Sequence, residues 1–370
     1  MPRTVLITGG AGFIGSHVAD ELLRAGDRVL VLDSLHEQVH PETARPEYLD
    51  PEVELVAADV RDRAAVARAI DGVDAVIHFA ARVGVGQSMY EIHDYVDANT
   101  TGTAVLLEEL LDRSIGRLVV ASSMSVYGEG SYVDEQGARV VAVERTRAQL
   151  ERGEWEPRGP DGQRLRPVPS DESKRPALSS VYALSKFDQE RLCLLFGAAY
   201  NVPTVALRFF NVYGPRQALS NPYTGVLAIF AARLLNDRPP LVYEDGNQRR
   251  DFVSVYDVAR ACRLALDGDD AAGHVLNIGS GSSVSVREIG EQLAAVLDRH
   301  VEPQVSGKAR FGDIRHCFAD ISRARELLGF EPRVSLEEGM RELAEWLEGQ
   351  AAVDRVDDAS AELAARGLTT

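Results

Sequence analysis

Apolar and polar positions along the first two hundred residues follow a pattern that predicts strands separated by amphipathic helices. Short apolar runs rich in β-branched residues predict buried parallel strands, at 4–8, 28–33, 54–57, 75–79, 117–122 and 204–209. Apolar residues at helical spacing predict helices, at about 12–25, 63–70, 99–113 and 181–200. Because strands and helices alternate, the sequence predicts an α/β fold with a doubly wound parallel sheet.

Three later segments depart from this alternation. Residues 130–176 are rich in Glu, Arg, Gly and Pro and predict an insertion, helical near 141–152 and otherwise a long loop. Residues 213–350 predict a smaller α/β lobe for the substrate, with some elements returning to the sheet. Residues 351–370 form a polar, Ala-rich tail that is helical or frayed. Residues 1–212, with the insertion, therefore form the expected cofactor domain.

Composition excludes several classes of partner. The formal net charge of −17 argues against nucleic acid and anionic membranes as partners, and no stretch reaches the apolar length of a membrane span. The three cysteines are far apart and form no C-x-x-C pair, so we predict neither a disulfide framework nor a metal site. A reducing cytosol fits this usage, and we expect a cytoplasmic protein. Only three of the 40 basic residues are lysines, and one of them is Lys186.

A glycine-rich turn follows the first predicted strand and opens the first predicted helix. Gly9 permits a tight turn, Gly12 lets a pyrophosphate approach the backbone, and Gly15 lets the helix pack on the strand. Phe13 and Ile14 then place their backbone N–H groups at the helix N-terminus, which favours bound phosphate. The motif predicts a Rossmann dinucleotide site; the alternative is a plain turn between strand and helix.

Acidic residues end the next two predicted strands. Asp33 can bind both hydroxyls of the adenosine ribose and would repel a 2′-phosphate, so the sequence favours NAD over NADP. Asp59 and Val60, at the end of the third strand, could meet the adenine through a carboxylate and a backbone amide.

Tyr182 and Lys186 form a Y-x-x-x-K pair on one face of a predicted helix. A nearby ammonium stabilises a phenolate, which lets a tyrosine act as a base near neutral pH. Ser123 follows Ser122 at the carboxyl end of the fifth strand, where its hydroxyl could bind the reacting oxygen. As the alternative to a catalytic pair, Tyr182 and Lys186 are two surface residues one turn apart. As the alternative for Ser123, its hydroxyl only caps the end of the strand.

A series of motifs occurs in order along the chain: TGGAGFIGSH, DVRD, HFAA, Asn99, SSMSVYG, YALSK, RFFNVYGPRQ and RRDFVSVYDVA. Together they resemble the extended short-chain dehydrogenases/reductases of the NAD-dependent epimerase/dehydratase family, which act on nucleotide sugars. The resemblance covers about residues 1–347, apart from the insertion.

The resemblance implies a role for each matching position. Tyr182 would be the base, Lys186 its partner, and Ser123 the hydroxyl that aids proton transfer; Tyr182 and Lys186 would also contact NAD. Further cofactor contacts are implied at Phe79, Ala80, Ala81 and Asn99. The implied substrate residues are Ser123, Asn211, Gln217, Arg250, Arg310 and Asp313, with the two arginines on a diphosphate. The resemblance also implies a homodimer formed through the helices at 99–113 and 181–200.

The residues after Ser123 bear on the reaction. Related 4,6-dehydratases carry Thr-Asp-Glu where this chain has Ser123-Met124-Ser125, and neither Met nor Ser replaces an acid and a second base. We therefore expect a nucleotide-sugar 4-epimerase acting on a dTDP- or UDP-hexose. Residues 83–92 and 218–230 are most similar to 4-epimerases of dTDP-6-deoxyhexoses, although the C-x-x-C that those relatives often carry after W-E-P is absent here. The insertion either covers the sugar or is a solvated loop. The alternatives are a 4,6-dehydratase or decarboxylase with another acid, and a non-catalytic NAD-binding protein.

Overall fold

The computed structural model describes residues 2–223, 225–350 and 352–370. Its strands are β1 (Thr4–Thr8), β2 (Arg28–Asp33), β3 (Glu54–Ala57), β4 (Ala75–His78), β5 (Arg117–Ser123), β6 (Ser131–Val133), β7 (Arg139–Val140), β8 (Arg166–Val168), β9 (Thr204–Phe209), β10 (Asn211–Tyr213), β11 (Leu241–Val242), β12 (Arg249–Arg250), β13 (Phe252–Ser254), β14 (Val275–Ile278), β15 (Val284–Ser285), β16 (Gln304–Val305) and β17 (His316–Cys317). Its α-helices are α1 (Phe13–Arg24), α2 (Arg63–Ala69), α3 (Val85–Ser88), α4 (Ile92–Tyr95), α5 (Gly102–Leu110), α6 (Arg147–Glu151), α7 (Val181–Tyr200), α8 (Val226–Leu235), α9 (Val255–Asp267), α10 (Val286–Val296), α11 (Ser322–Leu328), α12 (Leu336–Leu347) and α13 (Val356–Ala365).

A seven-stranded sheet in the order β14-β9-β5-β4-β1-β2-β3 forms the centre of the molecule. All of its pairs are parallel. Helices α1 and α9 cover one apolar face of the sheet, and α2, α5 and α7 cover the other, while the edge strand β3 has no fully buried residue. This confirms the doubly wound α/β fold. The strand order reverses at β1, between β2 and β4, and the carboxyl ends of the strands form a ligand crevice at such a point.

The helix predicted at 99–113 has different bounds in the structure. Helical backbone begins at Ile92, widens into a π-helix over Val96–Thr101, and continues as α5 to Leu110. The side chain of Asn99, inside the wide turns, hydrogen bonds to other segments. Such long-range bonds are invisible to a helical pattern of apolar residues, which is why the prediction began too late.

The insertion at 130–176 contains more strand than its composition predicts. Strands β6, β7 and β8 form a small antiparallel sheet, and α6 replaces the longer helix predicted near 141–152. The helix begins only after Thr146, whose side chain accepts a hydrogen bond from the Gln149 backbone at 3.2 Å. Before it, Val143 pairs with Arg158 as an isolated bridge. The prediction of a helix from residue 141 was therefore wrong.

The remaining chain forms a lobe beside the carboxyl edge of the sheet. Its apolar core joins α8, α10 and α12. Strand β14 and helix α9 return to the main sheet, as expected for interleaved chain segments. The tail forms α13, whose apolar residues Val356 and Leu363 are buried. Among the described residues, no helix is both long and apolar enough to cross a membrane.

Candidate active site

The glycine turn between β1 and α1 has backbone geometry that requires its glycines. Gly9 has a φ of +70°, and a Cβ there would lie 2.8 Å from the Ala80 nitrogen. A Cβ on Gly15 would lie 2.6 Å from both the Gly9 oxygen and the Gly10 Cα. A Cβ on Gly12 would meet nothing closer than the Gly9 oxygen, at 3.5 Å, among the residues that the structure describes. The backbone at Gly12 is therefore open to a ligand.

The first turn of α1 fits a bound phosphate. Gly12 is its N-cap and offers no side-chain acceptor, and the turn contains no acidic residue. Phe13 and Ile14 therefore open a helix whose first N–H groups are available to an anion. This open turn, together with the uncrowded Gly12, fits the pyrophosphate of a dinucleotide.

Substitution Gly15→Ala is expected to weaken NAD binding by at least about tenfold and to lower the melting temperature, because the new Cβ meets rigid backbone rather than a movable side chain. Gly26→Ala is not a suitable control, because Gly26 has a φ of +88°. Gly349→Ala is suitable, since a Cβ there would meet no atom of the described residues within 4 Å. NAD titration and thermal unfolding of both variants test this expectation; unchanged affinity in Gly15→Ala would contradict it.

Asp33 lies at the end of β2 and fastens the glycine turn. Its carboxylate accepts hydrogen bonds from the Ala11 nitrogen at 3.0 Å and the Leu35 nitrogen at 2.9 Å, one on each oxygen. Each oxygen has further lone-pair capacity, so the group can also accept from ribose hydroxyls. Asp59 is instead bound by Arg61, whose Nε and Nη2 lie 2.8 and 2.6 Å from its two oxygens. Val60 is buried.

The loop after β4 lies against the glycine turn. The Phe79 nitrogen donates to the Thr8 oxygen at 2.9 Å, and Ala80 and Ala81 follow, both partly exposed. Asn99 holds this loop from the other side: its Oδ1 accepts from the Arg82 nitrogen at 2.6 Å, and its Nδ2 donates to the Arg82 oxygen at 3.1 Å. Nδ2 also donates to Ser185 Oγ of α7 at 2.9 Å. The structure thus places Asn99 as a bridge whose side-chain bonds are made within the protein.

Helix α7 presents Tyr182 at its first turn. Ser180 caps the helix by accepting from the Ala183 nitrogen at 3.1 Å, and Ser88 accepts from the Tyr182 nitrogen at 3.0 Å. The ring of Tyr95 meets the Tyr182 ring edge-on, with centroids 6.5 Å apart. These contacts fix the direction in which the phenol points.

Ser123 affects the ionisation of the Tyr182 phenol. Burial raises the pKa of Tyr182, and the hydrogen bond with Ser123 partly offsets this by lowering it. Ser123 Oγ accepts from both the nitrogen and the hydroxyl of Ser125, at 3.2 and 2.9 Å. Because Ser125 occupies the acceptor side of Ser123, the Ser123 proton is left to be donated toward the phenol oxygen. Sequence reasoning did not identify this role of Ser125.

Lys186 lies one turn after Tyr182 and is buried, with 4% of its surface exposed. Its Nζ donates to Oε1 of Gln189 at 2.5 Å. Burial lowers the pKa of Lys186 to about 8, although the nearby Cys193 and Glu190 act to raise it. The ammonium is therefore charged at neutral pH but close to its titration range.

The predicted diphosphate residues meet in one cluster on the substrate lobe. Arg310 donates to Asp313 Oδ2 from Nε and Nη2 at 3.1 and 2.8 Å, and Arg250 Nη2 lies 3.9 Å from Asp313 Oδ1. Arg250 also donates to the backbone oxygens of Ile314 and Arg315. The cluster also contacts the segment just before α7, because Ser179 Oγ donates to the Gly312 oxygen at 3.3 Å. Two arginines share one carboxylate here, so the cluster keeps positive charge for an anion.

The two other predicted substrate residues lie between the cluster and the sheet. Asn211 Nδ2 donates to the Asp251 oxygen at 3.0 Å and lies 3.4 Å from the Met124 sulfur. Gln217 is buried, and its Nε2 is 3.4 Å from the Val212 oxygen. Asn211 is thus adjacent to Met124, the residue that follows Ser123.

The insertion supports the diphosphate cluster through residues that the sequence did not single out. Arg145 is buried, donates to the Asp313 backbone oxygen at 2.9 Å and pairs with Glu244 at 2.7 Å. Glu156, of the W-E-P segment, binds Arg315 and His316. Burial opposes its ionisation, but hydrogen bonds from His316 and Arg315 lower the pKa of Glu156 to about 2. The insertion is therefore attached to the substrate lobe by one buried ion pair, Arg145 with Glu244, and by the half-exposed Glu156.

The tail contacts both sides of the cleft. On the substrate lobe, Thr369 pairs with Arg310 and Ser360 Oγ lies 2.9 Å from the Tyr243 hydroxyl. On the cofactor side, Arg366 stacks on the Tyr90 ring, with its guanidinium carbon 4.3 Å from the ring centroid.

The described residues contain no cluster of three or more His, Cys, Asp or Glu side chains able to hold a metal.

Comparison with known proteins gives consistent matches over nearly the whole chain. The model of the NAD dependent epimerase/dehydratase family matches residues 5–147 and 159–279, so the unmatched gap lies in the insertion. The dTDP-L-rhamnose 4-epimerase of Burkholderia thailandensis is 38% identical over 350 residues, which cover 93% of this chain and 95% of that protein.

Solved structures agree with this match. The UDP-glucose 4-epimerase of Thermotoga maritima, solved with UDP-glucose, is 30% identical with a TM-score of 0.76, and covers 93% of this chain and 98% of its own. The UDP-glucuronic acid 4-epimerase of Bacillus cereus, solved with UDP-glucuronic acid and NAD, is 26% identical with a TM-score of 0.77, over 93% and 99% of the two chains.

Proposed function

Because the chain belongs to the NAD-dependent epimerase/dehydratase family, we propose that it is a nucleotide-sugar 4-epimerase whose substrate is a dTDP-linked 6-deoxyhexose. The 38% identity to a dTDP-L-rhamnose 4-epimerase supports the choice of nucleotide and sugar class. In this proposal residues 1–212 bind NAD, and residues 213–350 bind mainly the substrate. The roles of the individual site residues below are part of the same proposal.

The proposal depends mainly on one observation, the identity and contacts of the two residues that follow Ser123. A 4,6-dehydratase needs an acid and a second base beside its catalytic tyrosine. The two residues after Ser123 are Met124, which packs against Asn211, and Ser125, whose hydroxyl is bonded to Ser123. Neither can supply that pair of groups, whereas a C4 epimerisation needs only one group to take a proton and return it.

The glycine turn and Asp33 would hold NAD, which would supply reversible hydride transfer at C4 of the sugar and a positive charge on its nicotinamide ring. The Tyr182 oxygen takes the proton of the C4 hydroxyl and later gives it back. Ser123 donates a hydrogen bond to the same reacting oxygens, and the charged Lys186 favours the phenolate of Tyr182. Arg250 and Arg310 hold the diphosphate, so the oxidised sugar can turn its other face to the cofactor without leaving the site.

A substrate panel tests this proposal. The purified protein, without added cofactor, is incubated with dTDP- and UDP-linked hexoses and 6-deoxyhexoses, and the products are analysed by mass spectrometry and NMR. We expect a C4 epimer of unchanged mass, formed faster from a dTDP-6-deoxyhexose than from the UDP-sugars. A 4-keto-6-deoxy product, or loss of carbon dioxide, would instead establish the dehydratase or decarboxylase alternative. An inert protein across the panel would favour a non-catalytic NAD-binding protein.

We also propose a homodimer and a cytoplasmic location. Large apolar side chains remain exposed on the helices predicted to form the dimer, with Leu111 and Leu184 each 44% exposed and Leu195 56% exposed. A second copy would cover them, and light scattering of the purified protein tests the stoichiometry. The three cysteines are buried and unpaired, as suits a reducing compartment.

A further inference from the structure

Gln189 is a fully buried amide three residues after Lys186 on α7. Its Oε1 accepts the hydrogen bond from Lys186 Nζ at 2.5 Å. Because an ammonium can only donate, the atom facing Lys186 must be the amide oxygen. The orientation of the Gln189 side chain is therefore fixed at this end.

The other end of the amide is fixed by the cofactor domain. Gln189 Nε2 donates to the Ala80 backbone oxygen at 3.1 Å and to Thr103 Oγ1 at 2.9 Å. A carbonyl oxygen can only accept, which agrees with the orientation set by Lys186. Gln189 thus connects Lys186 to the loop after β4 and to α5.

His78 completes this buried network. Thr103 Oγ1 donates to the Asn99 oxygen at 2.6 Å, so it accepts from His78 Nε2 at 2.8 Å. His78 Nδ1 then accepts from Thr8 Oγ1 at 2.7 Å. With this tautomer the 3.1 Å approach of His78 Nε2 to the Gln189 nitrogen joins two N–H groups and is not a hydrogen bond. Burial, with a contribution from Lys186, lowers the pKa of His78 to about 3, so the ring is neutral.

We propose that Gln189 is a positioning residue that holds the Lys186 ammonium in its working place without neutralising its charge. This proposal rests on the proposed function only for the kcat measurement; the titration of Lys186 does not depend on it. Lys186 is too buried to be solvated by water, so its charge needs a protein acceptor. The adjacent carboxylate, Glu190, is occupied by Arg208, with oxygen to nitrogen distances of 2.9 and 2.7 Å. A neutral amide stabilises the ammonium and leaves its positive field available to Tyr182.

Two substitutions separate this role from simple packing. Gln189→Met keeps the side-chain length but removes the acceptor, so the pKa of Lys186 is expected to fall by about one unit, the size expected for one hydrogen bond to a charged group. Gln189→Glu places a negative charge beside the ammonium, so the pKa of Lys186 is expected to rise by about one unit. A side chain that only fills space would not move the titration in opposite directions.

The sequence makes this titration measurable, because the chain has only three lysines: Lys174, Lys186 and Lys308. Protein labelled with ¹³C-lysine gives three sets of side-chain NMR signals, and Lys174→Arg and Lys308→Arg assign two of them. The Lys186 signal is then followed against pH in each variant without substrate. The alkaline limb of the kcat profile, where Lys186 loses its proton, is expected to move in the same direction as the NMR titration.

The charged and titratable groups facing Lys186 define the control. They are Tyr182, Glu190 and Cys193 on its own helix, His78 on β4, and Arg208 on β9 behind Glu190. The control is Cys262→Ala, which removes a buried thiol from α9, a helix that covers the other face of the sheet and carries none of these groups. This variant is expected to lower the melting temperature and leave the Lys186 titration near its wild-type position.

The outcomes are decisive whether or not the epimerase activity is found. Opposite shifts in Gln189→Met and Gln189→Glu support the proposal even if the substrate panel fails, because the NMR titration needs no substrate. If Gln189→Met does not fold, an upward shift in Gln189→Glu supports the proposal. A Lys186 titration that stays at its wild-type position in every folded Gln189 variant would overturn it.

Discussion

Replacing Tyr182 with phenylalanine is expected to lower kcat by about 10²- to 10⁴-fold, the range for loss of a positioned general acid–base group. The substitution removes only the phenol oxygen and keeps the ring that packs edge-on against Tyr95. Affinity for NAD and for the nucleotide sugar should therefore remain within a few-fold of wild type. Steady-state kinetics and ligand titrations measure the two effects separately.

The same helix offers a matched control. Tyr200→Phe removes the same oxygen from an exposed tyrosine at the far end of α7, where the ring packs on Phe196. Its kcat should equal that of the wild type. Comparable activity in Tyr182→Phe and Tyr200→Phe would remove Tyr182 from the mechanism.

Replacing Glu190 with glutamine is expected to lower the free energy of unfolding by about 3 kcal/mol, because it leaves a buried arginine without its counter-charge. Arg208 and Glu190 are almost completely buried and form two hydrogen bonds. Ser122 Oγ adds a third at 2.6 Å, and the Arg208 guanidinium lies over the Tyr127 ring at 4.6 Å. At such burial, bulk solvent cannot compensate for a lost carboxylate.

Urea unfolding measures this loss against an exposed pair of the same type. Glu362→Gln breaks the pair with Arg366 on α13, where both side chains are about half exposed, and should change the free energy of unfolding by less than about 0.5 kcal/mol. A loss at Glu190 as small as that at Glu362 would show that the buried pair contributes little.

The parts of the site that follow from local sequence could be predicted. The glycine turn, Asp33 and the Y-x-x-x-K pair each depend on a short segment whose backbone conformation its own residues determine. Strand ends and helix starts then place these segments at one edge of the sheet, because the order of parallel strands fixes which edge holds the ligand. The resemblance to the family implied Arg250, Arg310 and Asp313 as substrate residues, and the structure brings these three side chains together.

The supporting residues could not be predicted, because their partners are distant in sequence. Gln189 reaches Ala80 and Thr103, and Ser125 contributes only because a short 3₁₀ turn over Met124–Tyr127 folds it back on Ser123. Arg145 supports the diphosphate cluster from within an insertion whose composition indicated a loop. No periodicity or spacing encodes such contacts, since each depends on how separate segments pack.

The most direct test of the central claim follows deuterium from C4 of the substrate. A nucleotide sugar that the enzyme accepts is prepared with deuterium at C4 and converted in ordinary water, and the product is examined by NMR and mass spectrometry. A C4 epimerase is expected to give a product with inverted C4 that keeps its deuterium and its mass, because the hydride is returned to the carbon it left. Loss of deuterium from C4, or a product lighter by water or carbon dioxide, would contradict C4 epimerisation by hydride return.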